Sequence, residues 1–203
     1  MEYVSNILFW ISNGLLVPVI VGLLYFFIRS ILMLGGFFNQ YLRRTKQAGQ
    51  LKKQLDTWDG ARLDALLPTI EASAERDFTE AVRRIAATPD SPHVDRILAE
   101  YEVRADADLS RGRMLTKFGP ILGLMGTLIP MGPALAGLAT GDVASMAYNM
   151  QIAFATTVVG LFAGAVGYVI LQARQRWFVA DLASLEFIAG MTAQVSPTNA
   201  PQP

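Results

Sequence analysis

The chain has 203 residues, 52% of them apolar, with 17 Lys and Arg against 17 Asp and Glu, one histidine and no cysteine. Balanced charge without a basic or acidic tail gives no support to nucleic-acid binding, and the lack of cysteine removes disulfides, thiolate chemistry and thiol-ligated metals. The apolar content is only slightly above the soluble average, but its distribution is not average: charged residues are missing altogether from 3–28, 118–141 and 143–173.

Each of these runs reaches the roughly 20 residues needed to cross about 30 Å of hydrocarbon, and none shows the polar stripe of a soluble amphipathic helix. The expected fold is therefore an all-α membrane protein with three transmembrane helices and long cytoplasmic helical extensions. The first helix is assigned to residues 1–38. It opens Met1-Glu2-Tyr3 without a basic leader and continues past the length of a signal-peptide core through Val17, Val21 and Phe26, so it reads as a retained anchor.

Residues 39–117 form the cytoplasmic segment. Leu63, Leu66, Leu67 and Ile70, then Phe78, Val82 and Ile85, then Val94, Ile97, Leu98 and Tyr101 recur at spacings of three and four, which predicts amphipathic helices. Pro68 should kink or restart the first stripe. Ala86 to Pro92 reads as a turn, with Ser91 as N-cap and Pro92 at the first helical position. Glu71, Glu75, Arg76, Glu80, Arg83 and Arg84 read as a solvated face with i,i+4 pairing. His93, next to Pro92, reads as a solvated loop residue.

The second span is assigned to 118–141, an outer turn to 142–148 and the third span to 149–173. A cytoplasmic helix follows at 174–195 on Phe178, Leu182, Leu185 and Ile188, and a disordered Pro/Asn/Gln-rich tail at 196–203. Neither of these last two pieces offers chemistry on sequence grounds. Of the 17 basic residues, 14 lie between Arg43 and Lys117, two more are Arg174 and Arg176, and Arg29 sits near the inner end of the first run. By the positive-inside rule the N-terminus lies outside and the C-terminus is cytoplasmic, in a multi-pass arrangement in the cell inner membrane.

The two later spans are rich in small residues. Gly119, Gly123, Gly126 and Thr127 on one, and Ala153, Thr157, Gly160 and Gly164 on the other, predict close helix packing within a bundle or oligomer. Thr127 lies near mid-span and Thr157 about a turn outward of the middle. Their hydroxyls either return to the preceding turn or, with carbonyls freed by Pro120, Pro130 and Pro133, line a hydrated path. No span holds an Asp, Glu or His, so a titratable group for ion transfer has to come from another polypeptide. No Ser/His pair, paired acids or metal-ligand set lies in the spans, so an intramembrane enzyme is not expected, and no cofactor is.

Gly119-Pro120-Ile121-Leu122-Gly123-Leu124-Met125-Gly126-Thr127, followed by Ala155-Thr156-Thr157-Val158-Val159-Gly160-Leu161, resembles the MotA, TolQ and ExbB proton channel family, and most closely its three-span TolQ/ExbB branch. That resemblance implies a homo-oligomer, a pentamer, around a single-span partner of the ExbD, TolR or MotB type whose intramembrane aspartate takes up the proton. It implies that Thr127 and Thr157, with Thr156 beside the latter, line the ion path. It also implies that ion flow drives mechanical work on the envelope. Threonines suit either proton or sodium as the translocated ion. Where TolQ and ExbB relatives carry a glutamate near the outer start of the third span, this chain has Asn149-Met150-Gln151-Ile152. The alternative reading is a membrane scaffold that assembles such a partner without conducting ions.

Overall fold

The computed structural model describes residues 2–56, 70, 75–88 and 91–195. Among these the chain is helical apart from its turns, in four helices: α1 (Glu2–Asp56), α2 (Arg76–Ala87), α3 (Ser91–Ala139) and α4 (Val143–Val195). Three are long and apolar enough to cross a membrane, within Asn6–Leu42, Pro92–Ala139 and Val143–Ala193. The protein is all-α, and no helix ends at 38, 117 or 173, because nothing in the backbone there breaks the hydrogen-bond ladder. Leu63, Leu66, Leu67, Pro68, Glu71 and the 196–203 tail fall outside the described residues.

The connection between α3 and α4 is shorter than the expected 142–148. It occupies Thr140, Gly141 and Asp142, and α4 is helical from Val143 onward. Gly141 takes φ +76°, its N–H bonds the Leu138 carbonyl at 3.2 Å, and the Asp142 N–H reaches the Gly137 carbonyl at 2.8 Å. This is a Schellman closure, with glycine at the left-handed position. Asp142 then caps the next helix, its Oδ1 accepting from the Ser145 N–H at 3.0 Å. One Gly-Asp pair thus ends one helix and starts the other. At the other end of α3 the helix begins at Ser91 itself, so Pro92 stands second rather than first. Helix starts commonly vary by this much.

The chain divides into two compact units. The first comprises Met1–Gly35 with Ser110–Leu171. In it α3 and α4 run antiparallel along a seam of bare backbone. A Cβ on Gly119 would lie 2.8 Å from the Gly160 carbonyl oxygen, and one on Gly123 3.2 Å from the Gly160 Cα. On Gly164 it would lie 2.7 Å from the Pro120 ring, and on Gly167 2.6 Å from the Leu115 Cβ. Gly112, Gly119 and Gly126 recur every seven residues, as do Ala153, Gly160 and Gly167. Such a repeat keeps one face of each helix against the other. Against this pair α1 sets Val19 and Leu23, buried with Ile129 and flanked by Leu122, Met125 and Val159. Phe26 stacks on Phe118 with ring centroids 6.1 Å apart. The outward faces carry Ile121, Leu124, Leu128, Leu135, Phe154, Val158 and Leu161, all exposed. An apolar surface of that extent suits lipid or neighbouring transmembrane helices, not water.

The second unit comprises Gly36–Leu109 with Gln172–Pro203. Here the stripes read from sequence converge. Phe78, Val82 and Ile85 of α2, Val94, Ile97 and Tyr101 of α3, and Leu185 and Ile188 of α4 form one buried core with Ile70, and Leu98, Phe178 and Leu182 pack against it. His93 is exposed. Glu75, Arg76, Glu80 and Arg83 are exposed, as expected of a solvated face, but the ion pairs differ from expectation. Glu75 pairs with Arg44 at 2.9 Å and Arg84 with Glu100 at 2.7 Å. Both are contacts between elements and not i,i+4 pairs, because α2 is too short to be held except by its neighbours.

Candidate ion-path and ionic sites

The threonine hydroxyls of the first unit all turn back to their own helices. Thr127 donates to the Leu124 carbonyl at 2.6 Å and Thr157 to the Ala153 carbonyl at 3.0 Å. Thr156 divides its donation between the Ile152 and Ala153 carbonyls at 3.0 and 2.9 Å. The arrangement satisfies each O–H and leaves the oxygen lone pairs as acceptors. Thr127 and Thr157 are half-buried and keep part of their surface open. Thr156 is different. It is 9% exposed and fills the space over Gly126, where a Cβ would meet its own Cβ at 2.6 Å. Its packing is thus within the chain, between α3 and α4.

Pro120, Pro130 and Pro133 all lie inside α3, which continues through them. Lacking an N–H, each leaves the carbonyl four residues back without its helical donor: those of Thr116, Gly126 and Ile129. Two of these carbonyls flank Thr127 in the chain. Acceptor oxygens from a hydroxyl and from freed carbonyls suit a passing proton donor, a water chain or a desolvated cation. The five glycines read as packing residues are covered within the protomer. Gly119 and Gly123 face Gly160, Gly160 faces both, Gly126 faces Thr156, and Gly164 faces Pro120.

A separate ionic cluster lies in the second unit. Arg44 contacts Glu75 Oε2 and, at 2.6 Å, Asp181 Oδ2, to which the Tyr101 hydroxyl donates at 3.3 Å. The guanidinium lies 5.2 Å from the centre of the Trp177 ring, which in turn stacks on Phe37. Burial pushes the Asp181 carboxyl above its ordinary value, opposed by the hydrogen bond and charge of Arg44. Burial also raises Tyr101, reinforced by the negative charge of Asp181. Arg44 is held above its usual value although burial acts to lower it, because the bond to Asp181 and the charges of Asp181 and Glu75 outweigh that loss. Beside the cluster is a polar cavity of about 50 Å³ with Gln40, Arg104, Asp108 and Arg174 in its wall. Arg174 Nε is buried there without a protein partner among the described residues. The space is polar and large enough for water, which would satisfy that donor.

The sequence of 174–195 read by itself offers no chemistry, whereas the structure places its Asp181 in this cluster. The signal was an acid, Asp181, set in register with Phe178, Leu182 and Leu185 on the buried stripe. Removing the acid alone leaves Arg44 with only Glu75. Asp181→Asn is expected to cost about 3 kcal/mol, the low end of the loss on breaking one side of a buried pair, since both side chains keep some exposure. Helicity followed through a thermal melt in detergent would measure it. Glu100→Gln, at the partly exposed pairs with Arg84 and Arg96, should change the melt less.

Comparison with known proteins gives one family. The description "MotA/TolQ/ExbB proton channel family" matches residues 70–186, a stretch containing α2, the α3–α4 seam, Thr127, Thr157 and Asp181. No match was found among curated proteins or among solved structures. With a multi-pass helical fold and a family match over more than half of its length, the chain belongs to the MotA/TolQ/ExbB proton channel family.

Proposed function

We propose that this chain is the ring subunit of an ion-motive-force-driven stator. Several copies, five by resemblance to the family, surround a single-span partner of the ExbD, TolR or MotB type, and ion flow is converted into mechanical work on the cell envelope or into transport. Thr127 and Thr157 line the path, and Pro130 and Pro133 add acceptor carbonyls beside Thr127. The N-terminus lies outside and the C-terminus in the cytoplasm of the inner membrane, with the Gly141–Asp142 turn on the outer side. The observation that carries this reading is the absence of Asp, Glu and His from the three charge-free runs of a proton channel family member. A relay across hydrocarbon needs a titratable group, and a partner's aspartate at mid-membrane supplies it.

The complex is tested by affinity purification from native membranes after cross-linking. The expected result is co-purification of a single-span protein with an intramembrane Asp, whose Asp→Asn variant no longer supports flux through the reconstituted complex. If flux persists in that variant, or if dissipating the ion gradients leaves the cellular process unchanged, the chain is a non-conducting scaffold.

A further inference from the structure

The outer part of α1 holds a polar turn inside an apolar run. Asn13 is half-buried in the hydrophobic stretch, and Gly14 beside it is exposed, with nothing within 4 Å of where its Cβ would be. Pro18 lies inside the same helix and carries no N–H, so the Gly14 carbonyl lacks its i+4 donor. On α4, Gln151 is exposed within the third charge-free run. Among the described residues neither the Asn13 nor the Gln151 amide has a hydrogen-bond partner.

These groups lie at one depth. Phe9 touches Gly132 and Gly22 faces Leu122, which sets Asn13 level with the stretch of α3 near residues 128–131. Gly137 faces Met146 and Gly126 faces Thr156, which sets Gln151 level with the same stretch. Two unsatisfied amides and a freed carbonyl at one level of the hydrocarbon are costly in a lone copy. They are also chemically complementary. A glutamine amide N–H₂ donates to the Gly14 carbonyl while its Oε1 accepts from the Asn13 amide. The bare Cα of Gly14 gives the incoming side chain room.

We infer that the Asn13–Gly14 turn of α1 receives Gln151 of a neighbouring copy of this chain, forming a head-to-tail contact that repeats around the ring. The occupant is a second copy because this chain itself presents the matching amide, exposed and at the same depth. A contact between two different surfaces of identical chains propagates in one direction, and closes into a ring when its rotation divides the full turn, rather than forming a two-fold pair. The inference rests on the ring reading proposed above.

The cysteine-free sequence permits a direct test. Asn13→Cys and Gln151→Cys are placed on separately tagged full-length copies, co-expressed with the complex and oxidised in native membranes. The expected product is a disulfide-linked dimer carrying both tags, with none from Asn13→Cys paired with Leu161→Cys, which lies about three turns further along α4. Asn13→Leu should lower the fraction of chain recovered as oligomer roughly three- to tenfold. Native electrophoresis of the same membranes separates the two possible failures. An intact oligomer without the mixed dimer, or with a dimer of Asn13→Cys copies alone, overturns this contact and leaves the ring standing. A chain that migrates as a monomer overturns both.

Discussion

Replacing Thr127 and Thr157 together by valine is expected to reduce ion-driven work at least about tenfold while expression and oligomer content stay normal. In the proposed path each hydroxyl oxygen would offer lone pairs to a charge in transit, a contact worth about 1.5–3 kcal/mol when the partner is ionised. Valine keeps the shape and removes the oxygen. Since the hydroxyl protons already bond the Leu124 and Ala153 carbonyls, serine at both positions retains the acceptors and should restore flux. Thr156→Val is the informative control. Its side chain fills the gap over Gly126, so a nearly isosteric replacement should leave flux close to wild type. Flux measured in vesicles holding the complex decides the matter, and undiminished flux in the double valine variant removes both threonines from the path.

Gly160→Ala is expected to be the most damaging single-methyl change. The added Cβ would lie 2.6 Å from the Gly119 carbonyl oxygen and 2.7 Å from the Gly123 Cα. Both are backbone atoms of a continuous helix and cannot rotate away. Separating the helices enough to admit the methyl group loosens contacts along the whole seam, at a cost of at least about 2 kcal/mol. Gly36→Ala, where nothing lies within 4 Å, should instead gain up to about 1 kcal/mol from the better helix former. Detergent melting curves of the two variants should shift in opposite directions. A Gly160→Ala protein that melts with the wild type would mean that the helices are not in backbone contact.

How legible this molecule was depended on whether a property was local. Charge-free length identifies a membrane-crossing helix without any partner, and a three-four spacing marks a buried stripe, so the three long apolar helices and the described stripes of the second unit's core could be read directly. Glycine at four-residue spacing predicts close approach but does not name the neighbour. Only the structure assigns Gly119 to Gly160 and Gly126 to Thr156. The turn falls several residues before the position that composition suggests, because apolar helix and apolar loop look alike in composition. The Gly141-Asp142 pair was the available marker. The Arg44–Asp181–Tyr101 cluster was invisible for a different reason: its members lie 137 and 80 residues apart in sequence, and no local pattern links them. Asn13 and Gln151 carry no charge and so leave the charge-free runs unbroken, although an amide without a partner in an apolar run is also informative.

The glycine seam constrains how the protein can move. Side chains between two helices act as a deformable layer that lets them slide, rock or exchange rotamers. Between α3 and α4 that layer is missing for about a turn, where Gly119 and Gly123 meet Gly160 backbone to backbone. The pair therefore has almost no slip plane of its own and behaves as a single stave. In the proposed ring, any displacement that accompanies ion passage would have to be taken up where one stave meets the next, or where it meets the enclosed partner helix.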